Sequence, residues 1–535
     1  MASGANLHEF EKPHAYTMLQ GFEWYTPGGG QHYDWLGNNA KRFADMGITA
    51  IWLPPPCKTS NRESTGYDIY DLWDLGEFVH PRDKDEQQPA ERTKYGTRAQ
   101  LENAMNALRD NGIAIYIDAV LNHKMGADGL ETFKVKEVDP EDRNKVISDS
   151  HDIEGWTKFT FPSRGDKYSD FKWNFDHFTG VDWDQKTQQK GIFRIEGENK
   201  GWAQDVDKEN ANYDYLMGAD IEHAHPAVKE DLLNWGAWMV RTFPINGFRF
   251  DAVKHISREF VHDFVKRIRE EASNKRKDDG RPEINEDLGP VAFGVGEFWK
   301  DSVDSCLQYL SNFGDEQFSL FDAPLHYNFK EAGDTGKEFD MRTIFDGTIV
   351  QQRPIDAVTL VENHDTQRGQ ALESSVSPQF KPLAYAIILL RREGYPCVFL
   401  GDLDGCHGGD GDASKEGKEV VFPPVNDLDK LIKARKCFAF GDQHDYLDHP
   451  QCIGWVRTGD GEGKTGCAVV LCNGEDDGEK RMQVHGASEG DIFVDALGWR
   501  QDEIKIGQDG WATFKAHNQS VSVWVPKEAK EKCGL

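Results

Sequence analysis

Between about residues 15 and 400 the chain alternates short apolar, β-rich runs with segments whose apolar positions return at helical spacing. That alternation is the pattern of a parallel sheet with helical crossovers. Candidate strands are Thr17 to Phe22, Ala50 to Leu53, Ile113 to Val120, Gly247 to Asp251, Phe293 to Glu297, Phe318 to Phe321, Val358 to Val361 and Cys397 to Leu400. Eight parallel strands are the number that closes a barrel, so the expected fold class is α/β, a (β/α)8 TIM barrel. The helix ahead of the fourth strand is the clearest. His225-Pro226 opens it, Val228, Leu232, Trp235 and Met239 mark its apolar face, and Pro244 and Gly247 end it. In the strand that follows, Arg249 and Asp251 share one face by period-two alternation, and Phe248 and Phe250 take the other.

Two stretches break the alternation. Residues 123–221 are polar, aromatic and Gly-rich, far too long for an ordinary connection, and read as an inserted domain after the third strand. Beyond a helical stretch, Asp427 to Lys436, short alternating runs such as Ala468 to Leu471 and Ser520 to Val525 are separated by Gly-Asp turns, as in a terminal β-sandwich. The expected division is a barrel from 1–122 and 222–436, an inserted domain at 123–221 and a C-terminal β-sandwich at 437–535. The mixed-charge stretch Arg82 to Lys94 reads as a solvated loop.

Three acids fall at the ends of the apolar runs, inside dense polar motifs: Asp251 in Gly-Phe-Arg-Phe-Asp-Ala-Val-Lys-His (247–255), Glu297 in Gly-Val-Gly-Glu-Phe-Trp (294–299) and Asp365 in Glu-Asn-His-Asp-Thr (362–366). Any one alone reads as a surface charge or a helix cap. Three at strand ends, each beside a His, Arg or Trp, suit an enzyme that breaks glycosidic bonds: one acid attacks the sugar carbon, one protonates the leaving oxygen, and a third stabilises the charge that develops.

Composition narrows the partners. With 92 Asp plus Glu against 62 Lys plus Arg, a formal charge of −30, the surface repels polyanions, which argues against nucleic acid and acidic membranes and favours a neutral substrate. Met1 to Gln20 contains no apolar stretch of signal-peptide length and no later run approaches a membrane span, so a soluble cytoplasmic protein is expected. Nine cysteines, an odd set without a C-x-x-C pair, read as reduced thiols. Gly463-Lys464-Thr465 echoes a phosphate loop but lacks the earlier glycine, Thr458 standing there, and Asn518-Gln-Ser520 fits a glycosylation sequon without meaning in the cytosol.

The set Asp118-Ala-Val-Leu-Asn-His123, Gly247 to His255, Gly294 to Trp299 and Glu362 to Thr366 resembles the four signature regions of the α-amylase family of glycoside hydrolases. Gln20-Gly-Phe-Glu-Trp-Tyr25, Gly66 to Gly76, Asn212 to Met217 and Gln443-His-Asp-Tyr446 are similar to the bacterial liquefying enzymes and their intracellular fungal relatives. The likeness runs into Ser520-Val-Ser-Val-Trp524.

The resemblance implies Asp251 as nucleophile, Glu297 as general acid/base and Asp365 as the carboxylate that stabilises the transition state. Arg249 is expected to keep Asp251 ionised by charge-assisted bonding, and neighbouring carboxylates to keep Glu297 protonated by repulsion. Retention implies Asp251 and Glu297 carboxyls about 5–5.5 Å apart. Tyr67, Asp68, His123 and His364 match residues lining the cleavage subsite, Tyr67 stacking on the ring and the His pair bonding sugar hydroxyls. Lys254 and His255 match the leaving-group side, where Trp299 stacks unless it packs in the core. Asn122, Asp214, Asp220 and the His255 carbonyl match the ligands of a structural Ca2+ between barrel and inserted domain, a hard-oxygen set suited to that ion. Thr179 and Ala203 stand where the liquefying enzymes place further acidic ligands, so one calcium is expected and not a cluster. Asn473 argues against another cation near His444 and Asp445.

The expected activity is endo-hydrolysis of internal α-1,4 bonds of starch, glycogen or maltodextrins by a monomer, with retention. An α-1,4-glucanotransferase using the same site is the rival in acceptor choice. A non-catalytic glucan-binding protein is the rival from another class, disfavoured because all three acids are present.

Overall fold

The computed structural model describes residues 15–83, 90–279, 292–314, 316–407, 421–461 and 465–535. Eight strands, β1 (Met18–Gln20), β2 (Ala50–Leu53), β3 (Ala114–Ala119), β4 (Gly247–Phe250), β5 (Phe293–Gly296), β6 (Ser319–Phe321), β7 (Ala357–Leu360) and β8 (Tyr395–Phe399), close into one parallel barrel in sequence order. Each expected strand is present, with ends that differ by one or two residues: most are shorter, and β7 and β8 begin one and two residues earlier than expected.

Period-two alternation divides each strand between two layers. Leu19, Ile51, Leu53, Ile115, Ile117, Phe248 and Leu320 pack outward against the helices, while Met18, Ala50, Trp52, Tyr116, Phe293, Val295, Val358 and Tyr395 fill the interior. The inward series changes character toward the C-terminal end of the barrel. There Gln20, Asp118 and Arg249 replace apolar side chains, and all three are buried. Asp118 and Arg249 are register partners on adjacent strands, so the fold presents opposite charges at one level.

The helix predicted to open at His225-Pro226 spans Pro226–Thr242, with His225 as its N-cap and Trp235 and Met239 fully buried. Proline at the first helical turn loses no hydrogen bond, which makes the start definite. Strands at 123–124, 129–137, 151–158, 178–184, 189–195 and 219–221 form a separate six-stranded sheet. Toward the C-terminus, a six-stranded antiparallel sheet and the antiparallel strand pair Gly478–Gln483 with Trp511–Ala516 bury a shared core that includes Val456, Val470, Met482, Phe514 and Trp524.

Three readings are corrected. Not every cysteine is a thiol: Cys437 and Cys533 form a disulfide with Cα atoms 6.4 Å apart, joining the helix Leu428–Phe438 to the C-terminal helix Lys527–Cys533. The partners are 96 residues apart, so no spacing rule could pair them. The other seven cysteines are free and buried. The stretch Arg82 to Lys94 is not wholly solvated, since Thr93 and Lys94 are buried and Lys94 Nζ donates to the Trp24 carbonyl at 3.4 Å. Asp365 is not part of a strand run: β7 ends at Leu360, and Asp365 sits in a turn where Asn363 Oδ1 accepts the Asp365 and Thr366 N–H groups at 2.8 and 2.9 Å. Gly463 and Lys464 of the phosphate-loop echo lie outside the described residues, as do residues 1–14.

Candidate active site

Arg249 organises the mouth of the barrel. Its side chain is fully buried, and its planar fork reaches three acids at once: Nη1 donates to Asp118 Oδ1 and Oδ2 (2.9 and 3.1 Å) and to Asp251 Oδ1 (2.7 Å), and Nη2 to Glu297 Oε2 (2.6 Å). A lysine could not span that set, because an ammonium is a single point. The guanidinium lies 4.8 Å from the Trp52 ring centroid and 5.7 Å from that of Tyr67, so aromatic faces cover it.

Asp251 and Glu297 each follow the last residue of their strand, β4 and β5, where the ladder bonds Asp251 N–H to the Ala119 carbonyl and Glu297 N–H to the Phe250 carbonyl. The next residue, Ala252, has φ 49° and ψ 38°, a left-handed conformation that costs a non-glycine residue about 1 kcal/mol or more. That bend aims the Ala252 N–H at Glu297 Oε2 (3.2 Å). The backbone after one acid therefore braces the other.

The acids titrate far from their ordinary range. Burial pushes Asp251 up to about 6 against the opposing pull of Arg249, and pushes Glu297 up to about 7 with the Asp251 charge adding to it. Arg249 favours ionised Asp251 and the Asp251 charge favours protonated Glu297, while burial is the largest influence on each. The two acids also act on each other, an influence that lowers the pKa of Asp251 and raises that of Glu297, so Glu297 is the one that keeps its proton to higher pH. Asp365 is driven well above the carboxylate range by burial and then by the charges of Glu297 and Asp251.

Tyr67 donates its hydroxyl to Asp118 Oδ2 (2.9 Å) and stacks on His364 with centroids 4.9 Å apart and planes 9° from parallel. Trp24 continues the stack, 6.3 Å from Tyr67 at 4°. His364 Nδ1 is 2.9 Å from Gln20 Nε2, leaving its buried Nε2 without a hydrogen-bond partner and 3.3 Å from Asp365 Oδ2. Burial, with Arg249 nearby, holds His364 neutral. His123 differs, since its Nε2 is 2.7 Å from the Tyr67 carbonyl and its Nδ1 3.4 Å from Asn122 Nδ2. It braces Tyr67. Asp68 accepts the hydroxyls of Ser60 and Ser64 and so holds its own loop.

Trp299 is 5% exposed, donates Nε1–H to Tyr327 Oη (3.1 Å) and packs with the barrel interior, as the core reading has it. Lys254 Nζ donates to the Trp299 carbonyl at 3.2 Å. His255, kept neutral by burial, has Nδ1 2.7 Å from the Tyr213 carbonyl.

Asn122, Asp214 and Asp220 are all buried at the junction of the barrel with the separate sheet. Burial raises Asp214 to about 8 and Asp220 well above its range, each with neighbouring acids adding to the effect. Asn122 Oδ1 is a buried acceptor without a partner. Thr179 donates its hydroxyl to Asp220, and Ala203 N–H donates to Asp214 Oδ2 at 2.8 Å, so these two positions supply donors and not acids. Among the described residues no group of three or more His, Cys, Asp or Glu side chains could hold a metal. The expected calcium set is of another kind, an amide, two carboxylates and a backbone carbonyl. Near His444, Arg391 fills the position of a cation, donating to both oxygens of Asp445 at 2.8 and 3.0 Å.

Sequence reasoning missed Asp118, Gln20, Trp24 and Trp52 as parts of the site. Gln20, Trp52 and Asp118 lie in the C-terminal halves of expected strands and Trp24 just beyond one, and Asp118 shares the inward face that Arg249 uses, which is the signal that could have found it.

The family described as alpha amylase, catalytic domain, matches residues 40–446. An alpha-amylase of Geobacillus stearothermophilus is 45% identical over 514 residues, covering 96% of this chain and 87% of that protein. The cytoplasmic alpha-amylase of Escherichia coli is 43% identical over 519 residues, covering 96% and 99%. The crystal structure of an alpha-amylase from Geobacillus thermoleovorans complexed with acarbose superposes with a TM-score of 0.60 at 17% identity, covering 96% and 97%, which is a likeness of fold. The closed barrel and the extent of these matches together establish that the chain belongs to the α-amylase family of glycoside hydrolases.

Proposed function

We propose that the protein is an endo-acting α-amylase that hydrolyses internal α-1,4 bonds of starch, glycogen or maltodextrins with retention of anomeric configuration. The observation that carries this reading is the Arg249 fork, whose two nitrogens bond Asp251 Oδ1 at 2.7 Å and Glu297 Oε2 at 2.6 Å and so gather both acids at one centre. Two acids bridged by one guanidinium suit the closely spaced pair of a retaining enzyme better than the wider pair that an inverting enzyme needs for its water. In the proposed sequence Asp251 attacks the anomeric carbon while Glu297 gives its proton to the glycosidic oxygen. The resulting glycosyl-Asp251 ester is cleaved by water, whose proton returns to Glu297. The Asp365 carboxylate would face the positive charge that grows on the sugar ring and so stabilise the transition state more than the ground state. Tyr67 and His364 offer the ring a flat face and an unpaired N–H donor.

The residues around Asn122 fit one Ca2+. Asn122 Oδ1, the carboxylates of Asp214 and Asp220 and the His255 carbonyl would hold it, and the ion would neutralise two acids whose pKa burial and neighbouring acids raise. Its role would be to tie the region around 123–221 to the barrel. The separate sheets support a division into a barrel (1–122 and 222–436), an inserted domain (123–221) and a C-terminal β-sandwich (437–535). No helix among the described residues is long and apolar enough to cross a membrane. A cytoplasmic location is proposed from the 43% identity to the relative of that name, and it requires Cys437 and Cys533 to be thiols in the cell, which a thiol count on freshly lysed material decides.

Incubation with amylose, followed by proton NMR of the first products, tests the function. Fresh α-anomeric ends and a rapid fall in chain length are expected. β-Anomeric products, or intact amylose, would overturn the reading.

A further inference from the structure

Just before the expected calcium ligand Asp214, three acids at alternate positions each engage a different part of the barrel. Asp205 Oδ2 accepts the Ser257 hydroxyl (2.9 Å) and the Glu259 N–H (3.0 Å) at the start of the helix Arg258–Asp278. Asp207 accepts Lys300 Nζ on both oxygens, at 2.8 and 3.0 Å, and its N–H donates to the Lys254 carbonyl at 3.0 Å. Glu209 accepts Lys254 Nζ at 3.3 Å. The two lysines have a telling placement, for Lys254 comes three residues after Asp251 and Lys300 three residues after Glu297. Residues 205–209 are therefore strapped to the loops that carry the nucleophile and the acid.

The Asp207–Lys300 pair is the firmer of the two. The Asp207 side chain is 7% exposed, against 45% for Glu209, so solvent and salt screen it less. Burial opposes ionisation of Asp207, but its bonds to Lys300 and to the Glu209 N–H outweigh this and hold it below the ordinary carboxylate range. The strap also has a direction relative to the chemistry. A general acid protonates the oxygen that departs, so the leaving segment lies on the Glu297 side of the scissile bond. Trp299 and Lys300 continue the chain from Glu297, and the strap faces them.

We propose that Asp207 and Lys300 form a clasp that positions the wall of the leaving-group side, and that they are positioning and specificity-determining residues setting how a departing glucan segment is held. The proposal rests on the α-glucan hydrolysis argued above. It accounts for a paired, mostly buried charge at a place where the barrel and the inserted region could otherwise be joined by apolar contacts.

The test compares wild type with D207N, K300Q and the conservative K300R on two substrates. One is a linear maltooligosaccharide labelled at its reducing end, and the other an aryl α-maltotrioside whose leaving group is a single ring. For D207N and K300Q we expect KM on the oligosaccharide to rise about fivefold with kcat nearly unchanged, and cleavage to shift along the labelled chain. Both constants on the aryl glycoside should stay within about twofold, and K300R should retain the wild-type pattern. Unchanged cleavage in both D207N and K300Q would overturn the clasp while leaving the function intact. Equal loss of kcat on both substrates with a lowered Tm would overturn it in favour of a purely structural pair. A wild-type protein that leaves the oligosaccharide whole would overturn the functional reading and the clasp together.

Discussion

Replacing Arg249 by lysine keeps a buried positive charge and removes the fork, which makes it a sharp probe of the site. In the structure Nη1 serves Asp118 and Asp251 while Nη2 alone serves Glu297. A lysine ammonium can follow Nη1 toward Asp118 and Asp251, but it cannot also reach Glu297. One charge-assisted hydrogen bond is lost, worth about 1.5–3 kcal/mol in a buried setting, so urea unfolding should show a loss of about 2–3 kcal/mol. The same energy converts to a rise of about 1–2 units in the pKa of Glu297, because the bond favoured its ionised form. Asp251 keeps a cationic partner and should move less.

The pH profile of kcat/KM tests this asymmetry directly. Activity requires Asp251 ionised and Glu297 protonated, so wild type should be bounded by an acid limb near 6 and an alkaline limb near 7. In R249K the alkaline limb should climb by about 1–2 units while the acid limb stays nearly in place, and the maximum should fall about 10²-fold as Glu297 loses its alignment. An alkaline limb that stays put or moves to lower pH would refute the argument that the guanidinium holds Glu297 through Nη2. So would unchanged stability.

Glu297→Gln should reduce kcat on amylose by about 10²–10⁴-fold with folding largely preserved, checked by steady-state kinetics beside a circular dichroism melt. Chelation with EDTA should lower Tm by several degrees, with recovery on adding Ca2+ and little on adding Mg2+, as calorimetry on dialysed protein would show. Reduction of Cys437–Cys533 releases a constraint on a 96-residue separation, so the unfolding free energy should fall by up to about 4.7 kcal/mol, and Cys437→Ser should show the same drop and no response to reductant.

The barrel could be read from the residues in order because short apolar runs alternating with helical spacing are a local signal. β2, β6, β7 and β8 are each buried along their whole length, and the helix Pro226–Thr242 carries its own cap and stop. The three acids were legible for a related reason: in a parallel barrel the C-terminal strand ends converge on one mouth, so charged residues at those ends must meet. Partnership was not legible. Arg249 finds Asp118 across 131 residues and Glu297 across 48, His123 spends its ring nitrogen on a backbone carbonyl 56 residues away, and Lys300 meets Asp207 across 93. The disulfide is the same kind of fact. Which distant groups touch depends on barrel closure, on the shear between neighbouring strands and on how the inserted region folds back, and none of these leaves a periodic trace along the chain. The pKa values follow from that closure as well, since burial, which no linear pattern encodes, is the largest influence on Asp251, Glu297 and Asp365 alike.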